Sequence, residues 1–307
     1  PGGGLRLRRL DAWSLRVAIE RPVETSFGIM RDRPAVFVRA EAEDGSFGFG
    51  EIWCNFPACG AEHRVVMAVD ELAPMLAGRT FDGPADAFAH LWERTRVRVL
   101  QTGEPGPYSQ AIAGIDIALW DLAARRAGKP LRHFIADGAV DAVPAYSSGI
   151  HIAIALEAVP EARAAGFRNF KVKVGFEWES DAKRLKFIQD QVTAMGPGAP
   201  GLRIDGNQGY SLDDALAFTR ILAPDHIELF EQPCHMDDWD AAKAVSEISP
   251  VPMMLDESIY GPADIDRAAD IGAASYIKLK LMKAGGLQAL ARGLRQIRER
   301  SMTPVLG

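Results

Sequence analysis

Three carboxylates, Asp205, Glu231 and Asp256, recur at about 25-residue intervals, each closing a short apolar run: "GLRID", "IELFE" and "VPMMLD". A lysine-bearing run, "SYIKLK", follows at a similar interval, and an earlier one, "NFKVKV", carries Lys171 and Lys173. One strand, one helix and the return take about 25–30 residues, and eight such units close a (β/α)₈ barrel. Charged residues at the C-terminal ends of successive barrel strands meet at one mouth, where barrel enzymes hold their active sites. The repeat therefore predicts an α/β chain with a divalent-metal site and amines beside it.

Composition narrows the classes. A net charge of −6 argues against general nucleic-acid binding, which needs a basic surface to displace counterions. No apolar stretch approaches membrane-spanning length. The N-terminal "PGGGLRLRRLDAW" has basic residues without an apolar core behind them, so no signal peptide is read. Cys54, Cys59 and Cys234 are odd in number and scattered, which suggests reduced thiols and a cytoplasmic setting. Cys54 and Cys59 lack a second ligand pair, which argues against zinc.

Two domains are expected. Residues 1–135 read as an α+β domain: strands at "WSLRVAI", "AVFVRAEAE" and "FGFGEIW", with a turn through "TSFGIMRDRP". Helices follow at "AEHRVVMAVDELAPML" and "SQAIAGIDIALWDLAARRAG", the latter closed by a glycine. From 136 to 307 strands alternate with amphipathic helices, and seven strands can be counted, the last at "TPVLG". An eighth strand is not present, so the barrel is expected to be incomplete at its C-terminal end.

In "FKVKVG" the strand period of two puts Lys171 and Lys173 on one face and Val172 and Val174 on the other. The apolar face should meet the surrounding helices, so the lysines should point inward. Two close, partly dry ammonium groups repel each other, and repulsion and desolvation both lower a lysine pKa toward general-base use. The plain alternative is a solvated edge strand. Asp205, Glu231 and Asp256 suit Mg²⁺, a hard cation that takes carboxylate oxygens. Alone, any one of them could be a helix cap, but Glu231 inside "FEQP" caps poorly. Asn207 and Glu257 are close enough in sequence to support or replace ligands. Lys278 and Lys280 share a face, and Lys280 is nearer the strand's C-terminal end. None of the six histidines falls at an expected strand end.

Taken in order, "GIDIALWDLAARRAGKPL", "FKVKVG", "IDGNQGY", "FEQP", "LDES" and "KLKLMKAGGL" resemble the enolase superfamily, more narrowly the muconate-lactonizing branch of the mandelate racemase-like enzymes. The resemblance covers nearly the whole chain. It implies an N-terminal α+β capping domain and a modified (β/α)₇β barrel, homo-oligomeric in solution. It also implies abstraction of the proton α to a carboxylate, with Mg²⁺ stabilising the enediolate. On this basis Lys173 is the acid/base on one substrate face, Lys171 depresses its pKa, and Lys280 is the opposite acid/base. Asp205, Glu231 and Asp256 become the metal ligands. The racemase branch carries an Asp where this chain has Lys280, so its Asp–His pair is not expected.

Substrate recognition should involve the capping domain, with Phe27, Met30, Trp53 and Phe56 as an apolar lid and Arg31 or Arg33 steering an anion. Tyr146, Ser147 and Ser148, expected to end the first barrel strand, are candidate partners for substrate oxygen. Two facing lysines favour racemisation or epimerisation of a small amino-acid-like or cyclic carboxylate. Dehydration of a β-hydroxy acid, muconate-type cycloisomerisation and a non-catalytic metal- or anion-binding barrel are the alternatives.

Overall fold

The computed structural model describes residues 4–25, 28–196 and 201–307. They form two compact units: one gathers the residues up to Glu24 with Gly28–Asp141 and Lys280–Gly293, the other Ala142–Leu279 with Leu294–Gly307.

The first unit holds a four-stranded sheet of β1 (Leu5–Thr25), β2 (Gly28–Ala42), β3 (Phe47–Ile52) and β4 (Thr80–Phe81), in the order β3-β2-β1-β4. In "FGFGEI" exposed and buried residues alternate strictly, as a strand with one wet face requires. Asp44 and Gly45 turn the chain between β2 and β3: the Asp44 carboxylate accepts the Ser46 N–H at 3.0 Å, and Gly45 takes φ +82°. The turn expected over residues 25–34 is mostly strand. Its strongest turn former, Gly28, stands near the beginning, and Ile29 and Met30 resume the alternation at once, exposed and buried respectively. Ser26 and Phe27 lie outside the described residues.

Helical segments follow as α1 (Gly60–Val66), a wider π turn (Met67–Leu72), α2 (Ala73–Leu76), α3 (Pro84–Thr102), α4 (Pro105–Arg126) and α5 (Leu131–Ile135). α4 lies against β3 backbone to backbone. A Cβ added at Gly50 would stand 2.0 Å from the Gly114 carbonyl oxygen, which only paired glycines tolerate. Ile112, Ile115, Leu119 and Leu122 of α4 fill the core beneath the sheet. The helix ends as its sequence predicts, with Gly128 in the left-handed conformation.

The second unit is built on a parallel sheet in strict chain order: β5 (Ser147–His151), β6 (Asn169–Lys173), β7 (Gly201–Asp205), β8 (Ile227–Glu231), β9 (Met253–Leu255), β10 (Tyr276–Leu279) and β11 (Thr303–Leu306). Between its successive strands run α6 (Ala155–Ala164), α7 (Trp178–Ala194), α8 (Leu212–Ile221), α9 (Trp239–Ile248) and α10 (Pro262–Ile271); the chain from β10 to β11 forms α11 (Leu281–Ala284) and α12 (Leu287–Glu299), of which the residues up to Gly293 are counted in the first unit. Phe170, Val172, Val174, Ile188, Ile204 and Phe218 form the apolar layer between strands and helices. Polar starts fix the helix entries: Ser211 Oγ accepts the Asp214 N–H at 3.2 Å, and Asp238 accepts that of Ala241 at 2.9 Å. At α10 the cap comes from inside the helix, Asp264 accepting the Gly261 N–H at 2.9 Å.

Among the described residues no helix is long and apolar enough to cross a membrane. The three cysteines are free thiols, Cys54 and Cys234 buried and Cys59 exposed.

Candidate active site

Strand register brings the acids together. Lys173 on β6 pairs with Asp205 on β7, and Asp205 pairs with Glu231 on β8. Asp256 follows the end of β9, tied to β8 through Gln232. The Gln232 side-chain oxygen accepts the Asp256 N–H at 3.1 Å and the Ser258 N–H at 3.3 Å, while its amide donates to Ser258 Oγ at 2.8 Å. Gln232 is fully buried, so these bonds hold the third acid firmly at this end of the sheet.

Asp205, Glu231 and Asp256 are each no more than 2% exposed. Lys171 donates to Asp205 Oδ2 at 2.7 Å and to Glu231 Oε2 at 2.8 Å. Lys278, from β10, donates to Glu231 Oε1 at 2.8 Å and stands 3.3 Å from Asp256 Oδ2. Two ammonium groups thus bridge three carboxylates. Burial opposes the charge on each lysine, but the flanking acids outweigh it and hold Lys171 and Lys278 above the usual lysine range. For Lys171 the neighbouring acids thus outweigh the repulsion and desolvation that the Lys171–Lys173 spacing implies, and it is ion-paired to Asp205 and Glu231. Asp205 is held below its usual value despite burial, by Lys171 and Lys173. Glu231 is pushed up by burial and by the charge of Asp205.

Lys173 differs from its neighbour. Its side chain is 21% exposed, its Nζ donates to Asn207 Oδ1, and it stands 3.5 Å from Asp205 Oδ2. Asn207 donates onward to Glu257 Oε1 at 3.2 Å, so both expected supporting residues belong to the same network. The loop behind Lys173 is fastened by Asp181, a residue the sequence reading passed over. Its Oδ2 accepts the N–H groups of Gly175 and Phe176 at 2.9 Å each, and the Tyr210 hydroxyl at 2.7 Å. Gly175, at φ +93°, and Gly206 complete this packing, since a Cβ on Gly175 would lie 2.0 Å from the Gly206 carbonyl oxygen.

β5 departs from expectation. It does not end at Tyr146–Ser148 but begins at Ser147 and runs to His151, its register shifting past Gly149, which takes φ +81°. Tyr146 therefore precedes the strand, under the Arg203 guanidinium at 4.5 Å from its ring centre, and Ser148 is an exposed mid-strand residue. The residue at the strand's C-terminal end is His151, in register with Lys173. Its Nδ1 accepts the Ala153 N–H at 3.0 Å, which leaves Nε2 to carry the proton, and its ring lies 4.2 Å from that of Phe176. The glycine bulge concealed this histidine from pattern reading.

In the first unit Trp53 and Phe56 come together, ring centres 6.3 Å apart, while Met30 is buried and Arg31 and Arg33 are exposed. Phe27 lies outside the described residues. Lys280 follows directly on Leu279, the last residue of β10, and is the extended residue that precedes α11.

The donor set fits a hard divalent cation. Three buried carboxylates supply only oxygen, and each adjacent pair already holds one cationic group between its members. Among the described residues, however, no three acids, histidines or cysteines are already gathered around one point as a metal group requires.

Comparison with known proteins agrees with this architecture. Residues 10–136 match the mandelate racemase / muconate lactonizing enzyme N-terminal domain, and residues 154–305 match the enolase C-terminal domain-like family. A mandelate racemase/muconate lactonizing enzyme crystal structure from Bordetella bronchiseptica RB50 is 37% identical with a TM-score of 0.88, over 99% of this chain and 80% of that one. L-Ala-D/L-Glu epimerase from Bacillus subtilis is 28% identical over 296 residues, 92% of this chain and 75% of the relative. A dipeptide epimerase from Cytophaga hutchinsonii, solved with Mg and the dipeptide D-Ala-L-Val, is 25% identical with a TM-score of 0.82, covering 99% and 79% of the two chains. The chain belongs to the mandelate racemase/muconate lactonizing enzyme family of the enolase superfamily.

Proposed function

We propose that the protein is a Mg²⁺-dependent racemase or epimerase of a small amino-acid-like carboxylate, dipeptides included. The observation that carries this is the pairing, on adjacent strands, of a less buried lysine with a buried acid cluster: Lys173 stands beside Asp205, and Asp205 beside Glu231. The epimerases among the relatives support the amino-acid-like substrate.

Asp205, Glu231 and Asp256 would hold the metal, which supplies Lewis-acid stabilisation of the charge that develops on the substrate carboxylate. Lys173 takes or returns the α-proton. Asn207, accepting from Lys173 and donating to Glu257, fixes the direction of its ammonium. Lys171 stays charged and steadies the Asp205–Glu231 pair. The family resemblance gives Lys280 the part of second acid/base, so that a proton removed on one face returns on the other. His151 Nε2–H, in register with Lys173, is a donor for a substrate oxygen. The free thiols support a reduced, cytoplasmic setting, and the resemblance supports a homo-oligomer.

Incubation with Mg²⁺ and a pooled set of dipeptides and N-acyl amino acids in D₂O tests the reading. The expected result is α-deuteration of one class with inversion at the labelled carbon. Loss of water or ring opening without inversion would reassign the enzyme to dehydration or cycloisomerisation.

A further inference from the structure

Lys278 lies outside the Lys171–Lys173 pair, yet its ammonium reaches the acid cluster. It is 6% exposed and stands 2.8 Å from Glu231 Oε1 and 3.3 Å from Asp256 Oδ2. With Lys171 on Asp205 and on the other oxygen of Glu231, and Lys173 3.5 Å from Asp205, ammonium groups already face the three carboxylates before any metal arrives. A charged lysine carries three donors and no lone pair, so it cannot join a metal shell and can only compete with it or repel it. Charges a few ångströms apart in a dry setting interact strongly, because little solvent screens them.

We propose that Lys278 is a built-in counter-cation of the carboxylate cluster that lets the barrel fold without metal and limits how tightly Mg²⁺ is held. The proposal rests on the reading of Asp205, Glu231 and Asp256 as metal ligands. Without Lys278, the Glu231–Asp256 side of the buried cluster would lose this ammonium, and the two carboxylates would repel each other and penalise folding until a cation entered. Lys278 relieves that penalty in the metal-free protein, and the same charge opposes a divalent ion in the same place. Lys278 is thus a positioning residue that acts through Glu231 and Asp256.

The test uses the EDTA-treated protein and its Lys278→Gln, Lys278→Met and Lys278→Arg variants, titrated calorimetrically with MgCl₂ and melted with and without it. The neutral variants are expected to melt lower than the unaltered protein when metal-free. They should bind Mg²⁺ about tenfold more tightly or better, with a larger Mg²⁺-induced rise in Tm. Lys278→Arg should keep the unaltered affinity. If a neutral variant is unfolded without metal, folding on addition of Mg²⁺ supports the proposal, and failure to fold with Mg²⁺ overturns it. Unchanged or weaker Mg²⁺ binding by folded neutral variants would also overturn it, as would equal tightening by Lys278→Arg. If no form, unaltered or variant, binds Mg²⁺, the metal reading itself fails and takes this proposal with it.

Discussion

At the scale of the residue, burial decides what each ionisable group can be. Lys171 and Lys278 are surrounded by acids and remain ions, whereas Lys173, two residues along the strand, keeps a partly wet ammonium and one acid at 3.5 Å. The same principle applies to Asp116, in the first unit. Its Oδ2 accepts the Leu287 N–H at 2.7 Å, its Oδ1 has no hydrogen-bond partner among the described residues, and burial pushes its carboxyl up to about 7. The folded state therefore holds a proton that the unfolded chain has released. Stability from this group is full below about pH 4 and is lost as pH rises through about 7. Asp116→Asn removes that dependence while keeping an acceptor for Leu287. Urea denaturation should show the variant gaining on the unaltered protein from pH 4 to pH 7.5, and a constant difference would refute the assignment.

At the scale of the element, the strands that carry the acids were legible in the sequence because each ends an apolar run at a steady interval. The period of two in "FKVKV" placed the lysines and valines on opposite faces, and Val172 and Val174 are indeed fully buried against the helices. What was not legible depended on contacts between distant segments or on backbone conformation. Gly149 prolongs β5 beyond the "SSG" that looks like a stop, which moves Tyr146 and Ser148 away from the strand end and installs His151 there. Gln232 bonds to the loop after β9, and Asp181 joins the loop before its own helix to Tyr210 of the next unit, links that the apolar pattern does not reveal. Asp181 gives the sharpest prediction at this scale. Asp181→Ala strands a buried hydroxyl and frees two short backbone bonds, so it should lower unfolding free energy by about 3 kcal/mol in urea denaturation. A change within about 0.5 kcal/mol would show that the loop after β6 is held by other means.

At the scale of the whole molecule, seven parallel strands in chain order gather the ends of β6, β7 and β8, Gln232 ties the residue after β9 to them and β10 adds Lys278, so residues up to 107 positions apart share one cluster. On the proposed function the reaction depends on Lys173 and Lys280 doing the same task in opposite directions, and single-face variants separate them. The enzyme, Lys173→Ala and Lys280→Ala would each be incubated in D₂O with Mg²⁺ and, separately, with the two stereoisomers of the accepted substrate. Mass spectrometry would then read α-deuteration. The account predicts that each variant loses exchange with one stereoisomer by about 10²- to 10⁴-fold, keeps measurable exchange with the other, and abolishes inversion. Retained inversion in either variant, or equal loss with both stereoisomers, would contradict a two-lysine mechanism.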